Sequence, residues 1–195
     1  MLFNARSFVS LFALLAVASA SSPPNLTDDH HNFDGDASLA ARAPRAPQAV
    51  VVTCMDSRIE VDFILRRLKL TRENSHIIRN AGGRTQDAIR SIVVSQEFHG
   101  VNQVYIIHHT QCGLAEKSEE GMRRSLFNQD VPMSPFMAQD LTFMPIRTND
   151  FAESLGDDAA LVLNHPLIKP KTRVTGWIYT ISSNGKDKMK RVFQS

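Results

Sequence analysis

Ala49-Val-Val-Val-Thr-Cys54-Met-Asp56-Ser-Arg58 is a short apolar, β-branched run that ends on a cysteine, an aspartate and an arginine. The run reads as a strand, so these three reactive side chains fall just beyond its carboxyl end. A second run, Gln103-Val-Tyr-Ile-Ile107, leads in the same way to His109 and Cys112. Between the two, apolar positions Ile59, Phe63, Ile64 and Leu68 recur at helical spacing and predict a helix over 57–68, with Arg66, Arg67 and Lys69 in its last turn. His76-Ile-Ile78 is a further short strand, and Ala88, Ile89, Ile92 and Val93 form the buried stripe of a helix over 85–98. The alternation β-α-β-α-β predicts an α/β fold with a parallel sheet and right-handed crossovers. In such sheets ligands bind outside the carboxyl ends of the strands, which is where Cys54, His109 and Cys112 lie.

Cys54 and Cys112 are the chain's two cysteines. Two thiolates and an imidazole make a three-ligand zinc set with a fourth position left open, the form that catalytic zinc takes, whereas structural zinc is closed by four protein ligands. The offset of three residues from His109 to Cys112 lets both side chains face one ion, and Gly113 permits a sharp exit. Two cysteines in a secreted chain also read as one Cys54–Cys112 disulfide in a non-catalytic protein. A disulfide, however, needs neither the histidine before Cys112 nor the Asp-x-Arg after Cys54.

These motifs resemble those of the β-class carbonic anhydrases, Cys-x-Asp-x-Arg and His-x-x-Cys. Cys54, Asp56, Arg58, His109 and Cys112 match residue for residue, and Arg79-Asn-Ala-Gly-Gly83 falls where the family carries the same string. The resemblance is strong over residues 48–113 and weak over 173–192. It implies a mostly parallel β-sheet flanked by helices with a C-terminal hairpin, Zn2+ held by Cys54, His109 and Cys112, and reversible hydration of carbon dioxide to bicarbonate and a proton by zinc-activated water of pKa about 7. It also implies that Asp56 accepts a hydrogen bond from that water and that Arg58 holds Asp56, with a low-pH switch in which Asp56 leaves Arg58 for the metal. The lesser alternative for Asp56-Ser-Arg58 is a helix cap with a surface ion pair. Gly82 and Gly83 are candidate substrate-pocket residues or a plain loop. His108 alternates away from the metal and is read as structural. Some relatives act on carbon disulfide or carbonyl sulfide, and the family implies a homodimer or homotetramer. Gln111 departs from the Asp or Gly that members often carry there.

Residues 1–20 read as a secretory signal peptide: Arg6, an apolar run Phe8 to Val17, then Ala18-Ser-Ala20. A mitochondrial transit peptide is the alternative, but the run is uniformly apolar rather than amphipathic. No later stretch approaches the roughly 18 apolar residues of a membrane span. Residues 21–47 form an arm broken by Pro23, Pro24, Pro44 and Pro47, carrying the sequon at Asn25 and a His30-His31 pair read as solvated, and 48–195 is one catalytic domain. With 22 Lys plus Arg against 20 Asp plus Glu there is no electrostatic case for nucleic acid or anionic membrane, which suits a small-molecule substrate. Residues 114–150 carry Met, Phe and Pro without periodicity and are read as packing residues. Ala152–Leu163 is expected as a helix and Arg173–Ile181 as a strand. Asn184-Gly185 signals a tight hairpin into a strand over 188–193.

Overall fold

The computed structural model describes residues 47–127, 141–147 and 150–195. The signal peptide, nearly all of the arm with its sequon and His30-His31, and Met133 and Met137 lie outside the described residues. Five strands, β1 (Ala49–Cys54), β2 (Ser75–Asn80), β3 (Gln103–His109), β4 (Arg173–Thr180) and β5 (Lys188–Gln194), form one sheet in the order β2-β1-β3-β4-β5. The first four are parallel and β5 runs antiparallel to β4.

Every residue of β1 is buried, as a central parallel strand covered on both faces requires. Its side chains alternate between two cores. Val51 joins Ile64, Leu65 and Leu68 of α1 (Val61–Leu68) with Ile107 and Tyr179. Val50 and Val52 join Val104 and Ile106 with Ile92 of α2 (Ile89–His99) and Leu155, Ala159 and Val162 of the helix over Phe151–Asn164.

The helix expected from 57 begins at Val61 instead. The Asp56 carboxylate accepts the Arg58 N–H and the Asp56 carbonyl accepts the Ile59 N–H, so a turn takes the first residues and Asp56 is not the helix cap. The helix expected from 85 starts as a 3-10 turn at Gln86–Ala88 and becomes α2 at Ile89. It ends on Gly100, whose φ of 67° lets its N–H reach the Gln96 carbonyl.

Within 114–150, read as irregular, Glu119–Phe127 is a helix, α3. None of its residues is buried, so it carries no apolar stripe to detect. It is held by Glu119–Arg123 and Glu120–Arg124 pairs and by the Glu119 carboxylate, which accepts the N–H groups of Phe143 and Met144 at 2.9 and 3.0 Å. The fourth helix, α4 (Phe151–Asn164), matches its expectation and is capped by the Asp150 carboxylate on the Glu153 N–H at 2.8 Å. The tight hairpin does not form. Pairing stops at Thr180 and resumes at Lys188, because the Asp187 carboxylate takes the Tyr179 hydroxyl and the Ser182 N–H and so holds a wider loop around Asn184-Gly185.

Candidate metal centre

β1 and β3 are neighbours, with Thr53 opposite Ile107, so Cys54 and His109 emerge side by side at the carboxyl edge. The turn after β3 then brings back Cys112. One ligand atom from each of Cys54, His109 and Cys112 lies within 4.8 Å of the others, and all three residues are buried.

The turn is fixed by hydrogen bonds to the end of β4 and the residue just past it. The Thr110 N–H donates to the Tyr179 carbonyl at 2.9 Å, and the Thr110 hydroxyl oxygen accepts the Ile181 N–H at 3.0 Å. Gln111 supplies the reversal with φ 58°, in the left-handed region.

The chemistry of the three donors fits a metal. His109 Nδ1 lies 3.0 Å from the Thr110 carbonyl, which can only accept, so Nδ1 carries the proton. Nε2 is then a buried lone pair with no hydrogen-bond partner among the described residues. A backbone carbonyl on the far nitrogen is how metal-ligating histidines are oriented. Both cysteines are free, so the disulfide reading does not describe this arrangement. The two thiols titrate as a pair. A hydrogen bond from Cys112 is the largest influence on Cys54 and pulls its thiol well down against burial, while Cys112 is pushed up by the same contact. A readily formed thiolate is what a zinc ligand requires.

Asp56 and Arg58 stand beside this cluster. Arg58 Nε and Nη2 donate to Asp56 Oδ1 and Oδ2 at 3.0 and 2.6 Å, a two-pronged grip. The side-chain hydrogen bond from Arg58 is the main reason that the Asp56 carboxyl is lowered to about 2. Arg58 also donates to the Gln111 carbonyl at 2.9 Å, so one guanidinium ties the turn after β1 to the turn after β3.

Arg79, which opens the Arg-Asn-Ala-Gly-Gly83 string, has a role that the string alone does not disclose. Its guanidinium donates to the Cys54 carbonyl at 3.1 Å and the Asp56 carbonyl at 2.6 Å, clamping the backbone on both sides of Met55. A cation one residue before the Asn-Ala-Gly-Gly turn was the available signal.

A hollow of about 590 Å³ opens on Cys54, Asp56 and Cys112. Its wall is largely apolar, with Met55, Leu114, Met122, Leu141 and Phe143, and Asp87 at one side. The structure separates the two candidate glycines. Gly82 (φ 74°) lines the hollow, and a Cβ there would meet Leu114 Cδ2 at 2.5 Å. Gly83 lies beneath it, where a Cβ would meet the Cys54 nitrogen and the Ile107 oxygen at 2.9 Å, so it permits close approach of backbones rather than contact with the hollow.

His108 points to the other face. Its Nε2 is 2.9 Å from Asp158 of α4, which also accepts the Thr85 N–H at 2.9 Å and hydroxyl at 2.7 Å and pairs with Arg84 at 3.0 Å.

No protein-family model matches the chain. The chain is 30% identical over 152 residues to the carbon disulfide hydrolase of Acidianus sp. (strain A1-3), covering 69% of this chain and 73% of that protein. It is 26% identical over 163 residues to β-carbonic anhydrase 1 of Mycobacterium tuberculosis, covering 81% and 94%. Among solved structures, the carbonic anhydrase of Streptococcus mutans superposes with a TM-score of 0.62 at 33% identity, over 76% of this chain and 82% of that one. A Cys-His-Cys cluster at the carboxyl edge of a 2-1-3-4-5 sheet, together with these likenesses, gives the family and its metal, zinc: the chain belongs to the β-carbonic anhydrases.

Proposed function

We propose that the protein catalyses the reversible hydration of carbon dioxide to bicarbonate and a proton. The observation that carries this reading is the buried Nε2 of His109, without a hydrogen-bond partner among the described residues, gathered with two free thiols that open on a largely apolar hollow beside an ionised Asp56. Zinc held by Cys54, His109 and Cys112 supplies Lewis acidity that brings the pKa of a water toward about 7.

The chain's own residues do the rest. Asp56, held ionised by Arg58, offers lone pairs only, so it accepts a hydrogen bond from the attacking water and orients it. A carboxyl at about 2 does not retain a proton at neutral pH, so the proton released in each turnover passes to solvent or buffer. Arg58 keeps Asp56 off the sulfurs, and its bond to Gln111 keeps the two ligand turns in register. The apolar wall admits a small uncharged molecule and limits competing water.

Hydrolysis of carbon disulfide is a second reading. The Acidianus relative of 30% identity carries that activity in its name, and the wall of thioether, leucine and phenylalanine side chains suits a polarizable sulfur substrate. Stopped-flow hydration with a pH indicator, run beside sulfide release from carbon disulfide, each with and without a zinc chelator, separates them. Fast chelator-sensitive hydration supports the first reading. Sulfide release without hydration replaces it with the second.

The chain is further proposed to be secreted, on the signal-type residues 1–20, with the mature protein starting near Ser21. It is also proposed to assemble as a homodimer or homotetramer, on family resemblance. Edman sequencing of the secreted product and sedimentation of the zinc-loaded protein test these two points.

A further inference from the structure

A second hollow, of about 260 Å³, lies at the opposite end of the sheet from the ligand cluster, where β3 and β4 begin. Strand register builds its floor. Gln103 pairs with Arg173, Tyr105 with Thr175, and Trp177 with Arg191, which places these side chains on one face. Arg67 and Lys69, at the carboxyl end of α1, close the side.

The charge at this hollow is one-sided. Arg67, Lys69, Arg173 and Arg191 all line it and, among the described residues, no acidic side chain does. None of the four has a carboxylate partner among the described residues, whereas Arg58, Arg72, Arg84, Arg123, Arg124 and Arg147 are all ion-paired. Gln103, Gln194 and Ser195 add polar groups at the rim. The helix dipole of α1 favours Arg67 and Lys69 where they are, and the Trp177 ring favours Arg191, but neither cancels the charge gathered at the hollow. Four like charges around one small depression repel one another, and a multivalent anion relieves that repulsion.

The other lining groups also suit an anion. Tyr105 is half-buried, and burial holds its phenol up, so at neutral pH it is a hydroxyl that can donate. Arg191 lies over the Trp177 ring, 5.9 Å from the centroid, and the indole N–H is directed to the Thr175 hydroxyl at 3.2 Å, which steadies the wall. Guanidinium groups match phosphate oxygens in a fork, and a hollow lined by four cations and two aromatic rings has room for a phosphate with a small organic group attached.

We infer that the hollow among Arg67, Lys69, Arg173, Arg191, Tyr105 and Trp177 is a binding site for a small soluble phosphate ester, separate from the metal centre. The inference does not depend on which substrate the metal centre takes.

Trp177 is the chain's single tryptophan, so its fluorescence reports on this hollow alone. The experiment titrates the full chain, at fixed pH and ionic strength, with inorganic phosphate, with glycerol phosphate and with potassium chloride as control. It also adds vesicles of neutral lipid with and without phosphatidic acid.

A saturable change with glycerol phosphate that chloride does not produce is expected. Its midpoint should weaken at least tenfold in Arg173→Gln/Arg191→Gln and stay unchanged in Lys190→Gln, a cation opposite Ile178 rather than Trp177. If the double variant loses its far-ultraviolet circular dichroism, Arg67→Gln, on the surface of α1, is the substitute, with a smaller loss expected. An equal response to chloride, an unaltered midpoint in the variants, or a response to phosphatidic acid vesicles alone would overturn the assignment. So would a change in sedimentation of the double variant without any phosphate response, which would make the patch a contact between subunits.

Discussion

His108 and His109 are consecutive on β3 and both fully buried, yet they belong to opposite kinds of cluster. On one face of the sheet His109 brings a lone pair to two sulfurs, and no group among the described residues balances all three. On the other, His108 meets Asp158, an anion surrounded by Thr85, Arg84 and His108 itself. His108 Nδ1, like His109 Nε2, is without a partner among the described residues, so the difference lies in what gathers around each ring: a carboxylate with its own donors holds the fold together, and two sulfurs beside a lone pair mark a place for a cation. The strand's two-residue period is what allows neighbours in sequence to serve both ends.

The comparison breaks first at the metal side. His109→Ala and Cys54→Ser should each lose bound zinc and lower turnover to background, while urea midpoints move much less than activity does. Zinc content by elemental analysis and unfolding curves on the same samples check this. Retention of stoichiometric zinc in His109→Ala would remove His109 from the ligand set.

Asp56→Asn should keep its zinc and still lose turnover by about 100-fold, the lower range for a group that positions a reacting proton. Because the Asp56 carboxyl lies near 2, its protonation falls outside the pH 5–9 range of a hydration assay. The substitution should therefore lower the height of the pH–rate curve and leave its midpoint in place. Full activity in this variant would confine Asp56 to holding the turn.

On the other face, Asp158→Asn should leave zinc in place and cost about 3 kcal/mol, since it strands Arg84 and His108 in the interior. Burial pushes the Asp158 carboxyl up, but the His108 hydrogen bond, the Arg84 charge and the Thr85 N–H together hold it below the ordinary value of 3.8. A carboxyl lower in the folded than in the unfolded chain gives stability that is complete above the unfolded value and lost as pH falls from there toward the folded value. Urea midpoints of the parent should thus fall off below about pH 4, and in Asp158→Asn that part of the slope should flatten. An unchanged acid slope would mean that other carboxylates carry it.

What could be read from the chain beforehand follows the same division. β1, β3 and α4 were legible because one-sided or two-sided burial writes itself as periodicity, and Cys54, Asp56, Arg58, His109 and Cys112 because their spacing is specific. α3 was not, since a helix with no buried residue leaves no stripe and is held by ion pairs and by Glu119 on the distant Phe143 backbone. The width of the β4–β5 loop was hidden likewise. Asn184-Gly185 is a local turn signal, and the Tyr179–Asp187 contact that overrides it is tertiary. The Asp158 cluster joins residues from three separate segments, so no window of sequence contains it.

The smallest effect is expected at Gln111, the one residue between the ligands that departs from the Asp or Gly often found there. The structure gives the reason for such residues: φ is 58°, a conformation that glycine adopts freely and that aspartate tolerates better than glutamine. Gln111 recovers part of the cost through its side-chain oxygen, which accepts from Arg58 Nη1 at 3.3 Å, and its carbonyl, which accepts from Nη2 at 2.9 Å. Gln111→Gly keeps the carbonyl bond, loses the longer one and relieves the backbone, so it should raise stability by about 0.5 kcal/mol once the greater freedom of glycine in the unfolded chain is subtracted. Zinc affinity should not change, because no ligand atom moves. A loss of stability in Gln111→Gly would show that the side-chain bond to Arg58, rather than the backbone, decides how the turn between His109 and Cys112 is held.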